Sequence, residues 1–440
     1  MSILIKHGTV INPKQKVNRK ADVLIVGNKI KLIQKDINQR EAETIARTQV
    51  KVLDASGCFV TPGLIDIHVH LRDPGFPQKE TIITGTQAAA AGGFTAVVAM
   101  PNTQPVIDSV TTLEYVKTKA DKEGWCRVYT SAAITEGLQG KKITDFEALH
   151  KAGAVTFTDD GKTVMDPKIL YRAFCKAAEL GVPISSHCED HYLITEGAIN
   201  RGWVSKILGD PGIPSLGEDL IIARDLLFAE ETGAALHIQH VTTKRGVQLI
   251  REAKHRGVNV TCEATPHHFT LTDEIILEKG ALGKVNPPLR TKEDVQAIIE
   301  GLQDGTIDAI ATDHAPHTLE EKNKGLHEAP FGLIGLETSV GLTFTRLVHT
   351  GQLSVDEVVA KMTYIPAKIM NLPHGEIEVG EIADVTVIDP EFEWMVNVQE
   401  MYSRSHNTPF DGFPLKGKAI ATICNGRLVM TKGRVHHESV

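Results

Sequence analysis

No run of lysine or arginine in this chain is long enough to track a phosphate backbone, and its 47 basic side chains are outnumbered by 55 acidic ones. The formal net charge of −8 therefore speaks against a nucleic acid partner. Long apolar runs are missing as well. The longest stretch, residues 88–100, is broken by Gly92, Gly93 and Thr95 and falls short of the roughly 18 residues that span a bilayer. The segment Met1-Ser2-Ile3-Leu4-Ile5-Lys6 lacks the apolar core of about 7–15 residues and the small-residue cleavage site of a secretory leader. A cytoplasmic protein without a membrane partner is expected. Cysteine is sparse and scattered (Cys58, Cys126, Cys175, Cys188, Cys262, Cys424), with no Cys-x-x-Cys pair. That spacing speaks against a zinc knuckle or a disulfide frame and for thiols packed as small apolar groups. Repeats of 20–50 residues and low-complexity tracts are absent too.

What is present is enough apolar sequence, 42% of 440 residues, to bury a large core, and enough length for one large barrel and a smaller module. Residues 1–60 read as short strands and turns at 3–5, 22–26 and 50–53, with one helix near 38–47. From Leu64 to about residue 370, short β-branched runs alternate with amphipathic helices. The strands are expected at 64–70, 95–101, 127–133, 154–158, 182–187, 235–241, 258–264 and 308–312. Helices are expected at 111–123, 167–180, 217–232, 246–255 and 292–303. Eight such units predict an α/β fold, a closed (β/α)₈ barrel of the TIM type. Strand character returns at 383–390 and 419–429, which predicts that both chain ends build one small β-sandwich module. The expected division is 1–60 and 379–440 for that module and 61–378 for the catalytic barrel.

The chemistry-bearing residues stand where those strands end. In Ile65-Asp66-Ile67-His68-Val69-His70-Leu71-Arg72 the two imidazoles and the guanidinium are spaced by two, so they share one side of a strand. A turn, Asp73-Pro74-Gly75, follows at once, which puts the pair at the strand's C-terminal end, where barrel enzymes carry their active groups. His187, His240 and Asp313 close three later strands in the same way. Any one of them alone reads as a core or surface residue; five on one rim read as a metal site. Imidazole and carboxylate donors suit Zn²⁺, and by ligand type also Mn²⁺ or Co²⁺.

This order of ligands resembles the amidohydrolase superfamily over nearly the whole chain. Within it, four stretches are similar to the bacterial monofunctional type of the dihydroorotase family: Asp66-Ile67-His68-Val69-His70-Leu71-Arg72-Asp73-Pro74-Gly75, Met100-Pro101-Asn102-Thr103, Ala311-Thr312-Asp313-His314-Ala315-Pro316-His317 and Pro330-Phe331-Gly332-Leu333-Ile334-Gly335-Leu336-Glu337-Thr338. Asn286-Pro287-Pro288-Leu289-Arg290 is shared with related cyclic amidases. Many members bridge two metals with a carboxylated lysine on the fourth strand, where this chain has Phe157-Thr158-Asp159-Asp160-Gly161. The resemblance implies Asp160 as the bridge; Asp159 is the alternative, since neighbours on a strand face opposite ways, and Lys162 stands third. It implies one ion among His68, His70, Asp160 and Asp313 and another among Asp160, His187 and His240, so one or two Zn²⁺ per subunit, with two expected.

The same resemblance implies reversible hydrolysis of the cyclic amide of dihydroorotate to carbamoyl aspartate, with Asp313 as the catalytic proton carrier. Arg72 suits bidentate capture of the substrate carboxylate; the resemblance adds Asn102 and His317 to it, lets His70 border the substrate, and gives Asn286 and the backbone at Phe331 and Gly332 the ring's imide groups. The segment 319–332 reads equally as a closing loop and as an ordinary solvated connection. His237, His267, His268 and His314 read as support or packing residues, and His436 and His437 as a solvated tail. A homodimer and association with aspartate transcarbamoylase are implied by the resemblance alone. The rival readings are an allantoinase or hydantoinase, and a catalytically inactive scaffold of the same fold.

Overall fold

The structure, a computed structural model, describes residues 2–194 and 196–436. Eight strands, Leu64–Val69, Phe94–Ala99, Arg127–Ala132, Ala154–Phe157, Ile184–Ser186, Leu236–Ile238, Val260–Ala264 and Ala309–Ile310, lie side by side in chain order. Every neighbouring pair is parallel. The sheet closes where Val69 bridges His314 and the His70 N–H donates to the His314 carbonyl at 2.9 Å. All eight expected strands are found, each shorter than its expected span by one to four residues; His70, His187 and His240 lie just past the ladder, at the barrel mouth.

Several of the intervening helices begin where the sequence offers a capping side chain. Asp166 accepts from the Lys168 and Ile169 N–H groups at the start of Pro167–Leu180, and Thr291 caps Lys292–Gln303 in a capping box. Both helices coincide with their expected spans. Their apolar faces cover the outside of the barrel in one continuous cluster that includes Phe94, Phe157, Phe174 and Phe269. Ile65, Ile67, Ala96, Val98, Met100, Ala309 and Ala311 form a separate apolar layer. The register against the second strand is irregular between Asp66 and Val69, immediately around His68.

The chain ends build a two-sheet module. Ser2–Lys6, Asp22–Val26, Lys29–Gln34 and Lys51–Asp54 form one sheet by themselves. The C-terminal strands Val385–Met395, Pro414–Cys424, Arg427–Thr431 and Arg434–Val435 join Phe59–Pro62, Thr9–Asn12 and Val17–Lys20 in the other. So the C-terminal strands complete a sheet begun by N-terminal segments, but not by the three strands most legible in the sequence. Their partners are four-residue strands flanked by Pro13 and ended by Pro62, too short to read by alternation. Ile3, Ile5, Val23, Ile25, Val60, Val385 and Ile423 fill the space between the sheets.

The cysteines are free, and all but Cys175 are buried. No described helix is long and apolar enough to cross a membrane. The C-terminal tail differs from expectation at His436, which is half-buried and docked, its carbonyl accepting from Trp125 Nε1 at 2.7 Å; His437 lies outside the described residues.

Candidate metal centre

Six side chains from the ends of five strands meet at the barrel mouth. His68 Nε2 lies 3.3 Å from Asp160 Oδ1 and 3.5 Å from Asp313 Oδ1. His70 Nε2 lies 3.5 Å from Asp160 Oδ2 and 3.0 Å from Asp313 Oδ1. On the other side of Asp160, His187 Nδ1 is 3.8 Å from Oδ1 and 2.9 Å from His240 Nε2. Ligand bonds of about 2.0–2.1 Å at a tetrahedral ion set donor-to-donor edges of about 3.3 Å. The spacings around His68, His70, Asp160 and Asp313 scatter about that edge, and His68, His70, Asp160 and Asp160, His187, His240 each form a group able to hold one ion. The donor set therefore fits two divalent metals that share Asp160.

The backbone is bent to make this possible. Arg72, His240 and Asp313 take φ of 57°, 32° and 48°, in the left-handed region that costs a non-glycine residue on the order of 1 kcal/mol or more. Three such residues in one site mark where the fold tolerates strain to aim side chains.

The far sides of the imidazoles are held as well. His68 Nδ1–H donates to Glu263 Oε1 at 2.6 Å, and the other oxygen of Glu263 is 3.0 Å from His237 Nε2. Burial penalises charge on Glu263, but His68 and His237 hold its carboxyl down at about 2. His70 Nδ1 is 2.9 Å from Asn102 Oδ1, whose amide nitrogen donates to Asp160 Oδ2 at 3.0 Å. His187 Nε2 faces Glu189 Oε2 at 3.5 Å. Each outer contact fixes which nitrogen points inward. Burial opposes charge on Asp160 and Asp313 too, yet the surrounding imidazoles keep both carboxyls well below the usual range. Burial, then His187 and His68, push His240 down to about 3, so the neutral ring keeps a lone pair on one nitrogen.

Asp159 is placed apart from this cluster. Its Oδ1 accepts from the Thr135 N–H at 2.9 Å and its Oδ2 from the Thr135 hydroxyl, while Lys162 is exposed. Both aspartates follow the strand Ala154–Phe157, and of the two only Asp160 lines the mouth.

A cavity of about 340 Å³ opens over the cluster, lined among others by Arg72, Asn102, Asn286, His317, Phe331 and Gly332. All seven residues expected at the substrate thus border one space with the ligands. A larger hollow of about 710 Å³, near Thr270 and Arg346, contains none of them. At one end of the mouth Arg72 Nη2 is 3.1 Å from His317 Nε2, and Lys79 Nζ is 3.0 Å from His317 Nδ1. Burial, then Arg72 and Lys79, hold the His317 ring far below its ordinary value. Gly332 takes φ of 126°, and a Cβ there would sit 2.7 Å from that of Ala315. Its N–H donates to the Lys284 carbonyl and its carbonyl accepts from Lys322 and Asn407, all at 3.0 Å, so this backbone is engaged within the protein.

The segment after the eighth strand is pinned in place. The buried Lys322 donates to the carbonyls of Lys284, Pro330 and Gly332 at 3.1, 2.9 and 3.0 Å. Glu263, Glu189, Lys79 and Lys322 escaped the sequence reading. Only Glu263 carried a signal, a lone carboxylate in the apolar run Val260-Thr261-Cys262-Glu263-Ala264. His237, His268 and His314 bond to Glu263, the Pro287 carbonyl and Glu80, which are support roles as expected.

A closed parallel barrel that gathers imidazoles and carboxylates from the ends of its strands defines a hydrolase of the amidohydrolase class. A family model described as "Dihydro-orotase-like" matches residues 57–246. Proteins named dihydroorotase from Pelotomaculum thermopropionicum and Clostridioides difficile are 50% and 48% identical over 430 and 427 residues, which is 98% and 97% of this chain and 99% of each of them. The chain belongs to the dihydroorotase family. Among solved structures it is similar to the L-hydantoinase (dihydropyrimidinase) of Arthrobacter aurescens, with a TM-score of 0.87, 27% identity, and coverage of 99% of this chain and 97% of that one.

Proposed function

We propose that this enzyme hydrolyses the ring amide of dihydroorotate to N-carbamoyl aspartate and, in reverse, closes that ring in pyrimidine synthesis. The reading is carried by one juxtaposition: a two-ion donor cluster and an anion-binding end, Arg72 with Asn102 and His317, border the same cavity. The full-length relatives named dihydroorotase support it further.

His68, His70, Asp160 and Asp313 would hold one Zn²⁺, and Asp160, His187 and His240 the other. Bound there, zinc would polarise the ring carbonyl and acidify an attacking water toward neutrality. Asp313 Oδ takes the proton that this water loses and hands it to the departing ring nitrogen. Its carboxyl suits the first step because the imidazoles around it keep it ionised. Arg72 and His317 grip the carboxylate and fix which face of the ring is presented, while Asn286 offers its amide to the imide group. Asn102 spans both ends, since it bonds to His70 and Asp160. Phe331 and Gly332 wall the ring and keep bulk water out. We further infer a soluble, cytoplasmic enzyme and a homodimer; the exposed Leu216, Leu220 and Leu227, which share one face of the helix Leu216–Thr232, support the dimer, and light scattering checks it.

Purified enzyme loaded with zinc is assayed on dihydroorotate, dihydrouracil and allantoin, with metal content measured in parallel. Turnover of dihydroorotate with one or two ions per chain is expected. Turnover of either uncharged ring without dihydroorotate overturns the substrate, and neither turnover nor metal overturns the enzyme.

A further inference from the structure

His317 stands between two groups that only donate. Lys79 Nζ lies 3.0 Å from its Nδ1, and Arg72 Nη2 lies 3.1 Å from its Nε2. An ammonium and a guanidinium carry no lone pair, and a neutral imidazole has one N–H and one acceptor nitrogen. One of the two contacts must therefore be a true hydrogen bond, and the other must set two donors against each other.

The surroundings decide which. Lys79 is held in place: its Nζ pairs with Glu321 Oε1 at 2.9 Å, and its carbonyl accepts from Ser405 Oγ at 2.6 Å. Glu321 is held in turn, since its other oxygen accepts from the Thr318 N–H at 3.1 Å. That oxygen is 3.8 Å from His317 Nδ1, too far to accept a proton from it. Lys79 is not among the residues that border the cavity, so no ligand can come between it and Nδ1. Arg72 and His317 do border it, and an anion can settle against both. The true hydrogen bond thus falls at Nδ1, and the opposed donors fall where a carboxylate can relieve them.

We propose that Lys79, which does not touch the substrate, is a positioning residue that fixes His317 as its Nε2–H tautomer, so that His317 and Arg72 present two converging donors and the pocket selects rings bearing a carboxylate. The inference rests on the dihydroorotate reading of the site. An uncharged ring leaves the Nε2–H and the Arg72 N–H facing each other without an acceptor; a carboxylate oxygen accepts from both. Specificity then comes from a penalty on the wrong ligand as much as from attraction to the right one.

The tautomer is read directly from two-bond ¹H–¹⁵N spectra of ¹⁵N-histidine-labelled enzyme, with His317 assigned by the signal missing in His317→Gln. The proton on Nε2 is expected in the wild type; a proton on Nδ1 overturns the proposal. In Lys79→Met the preference is lost, and KM for dihydroorotate rises about tenfold or more while kcat stays within about threefold. Turnover of dihydrouracil does not fall in that variant. Lys79→Arg restores both the spectrum and KM. Should Lys79→Met not fold, Glu321→Gln, which frees the lysine from its anchor, is read in the same way. An unchanged tautomer and KM in a folded variant refute the role of Lys79. Absence of dihydroorotate turnover in the wild type refutes the substrate instead, and the spectrum still decides the tautomer.

Discussion

Replacing Glu263 by glutamine removes one charge from beneath the metal centre without removing an atom's worth of volume. The carboxylate is buried, 2.6 Å from His68 Nδ1 and 3.0 Å from His237 Nε2. Glutamine keeps an oxygen for the His68 N–H, so the geometry survives and the charge assistance does not. A hydrogen bond to a charged group is worth about 1.5–3 kcal/mol, and a neutral one about 0.5–1.5 kcal/mol, so the loss at His68 is about 1–2 kcal/mol. That is about 5–30-fold in affinity for the ion His68 would hold. The amide nitrogen must in addition face His237, which raises the expected loss toward the upper end of the roughly 10–100-fold range for residues that orient a metal ligand. Competition with a chromophoric chelator gives the zinc affinity of apoenzyme and variant, and kcat/KM at saturating zinc gives the chemistry. Weaker zinc binding by about 10–100-fold, with most of the activity recovered at high zinc, is expected. Wild-type affinity in Glu263→Gln would refute the argument that this carboxylate sets the basicity of His68.

Asp160→Asn should lower kcat/KM by about a thousandfold or more and lose zinc, because one carboxylate serves both groups of ligands; Asp159→Asn should keep zinc and stay within a few-fold of wild-type activity, losing only about 1 kcal/mol from its bonds to Thr135. Equal losses in both variants would refute the assignment of the bridge. Chelation should lower the melting temperature and abolish turnover, with both restored by added Zn²⁺, since an ion bound only by the folded chain stabilises it by mass action; a melting curve indifferent to chelator would count against a resident metal.

Much of the architecture was legible because the barrel writes itself locally. Eight short β-branched runs stand in chain order, and several are followed by a capped helix, as Ala154–Phe157 is by Pro167–Leu180, so most of the signal is local. The β module was less legible, since its second sheet depends on pairings such as Val385 with Pro62, which no local period announces. The candidate ligands were readable for the same reason as the strands: each stands at or just past a strand's end. The supports were not. His68 meets Glu263 across 195 positions and Lys79 meets His317 across 238. Nor does anything local tell that segment 319–332 is stapled by Lys322, which in sequence reads as one more solvated charge.

The closure of the barrel and the assembly of the metal-type cluster are one contact, not two. The Asp66 carboxylate accepts from the His68 N–H on the first strand at 3.0 Å and from the Thr312 N–H after the eighth at 3.2 Å. Two residues on, the His70 N–H donates to the His314 carbonyl at 2.9 Å, and the His70 ring meets Asp313 at 3.0 Å. Strands separated by more than 240 residues in the chain are thus sewn together by the same two short segments, 66–70 and 312–314, that carry His68, His70 and Asp313. A barrel that closes one residue out of register would turn His70 to the opposite face and away from Asp313. The donor cluster therefore reports on closure itself, because correct register is the condition for the ligands to meet at all.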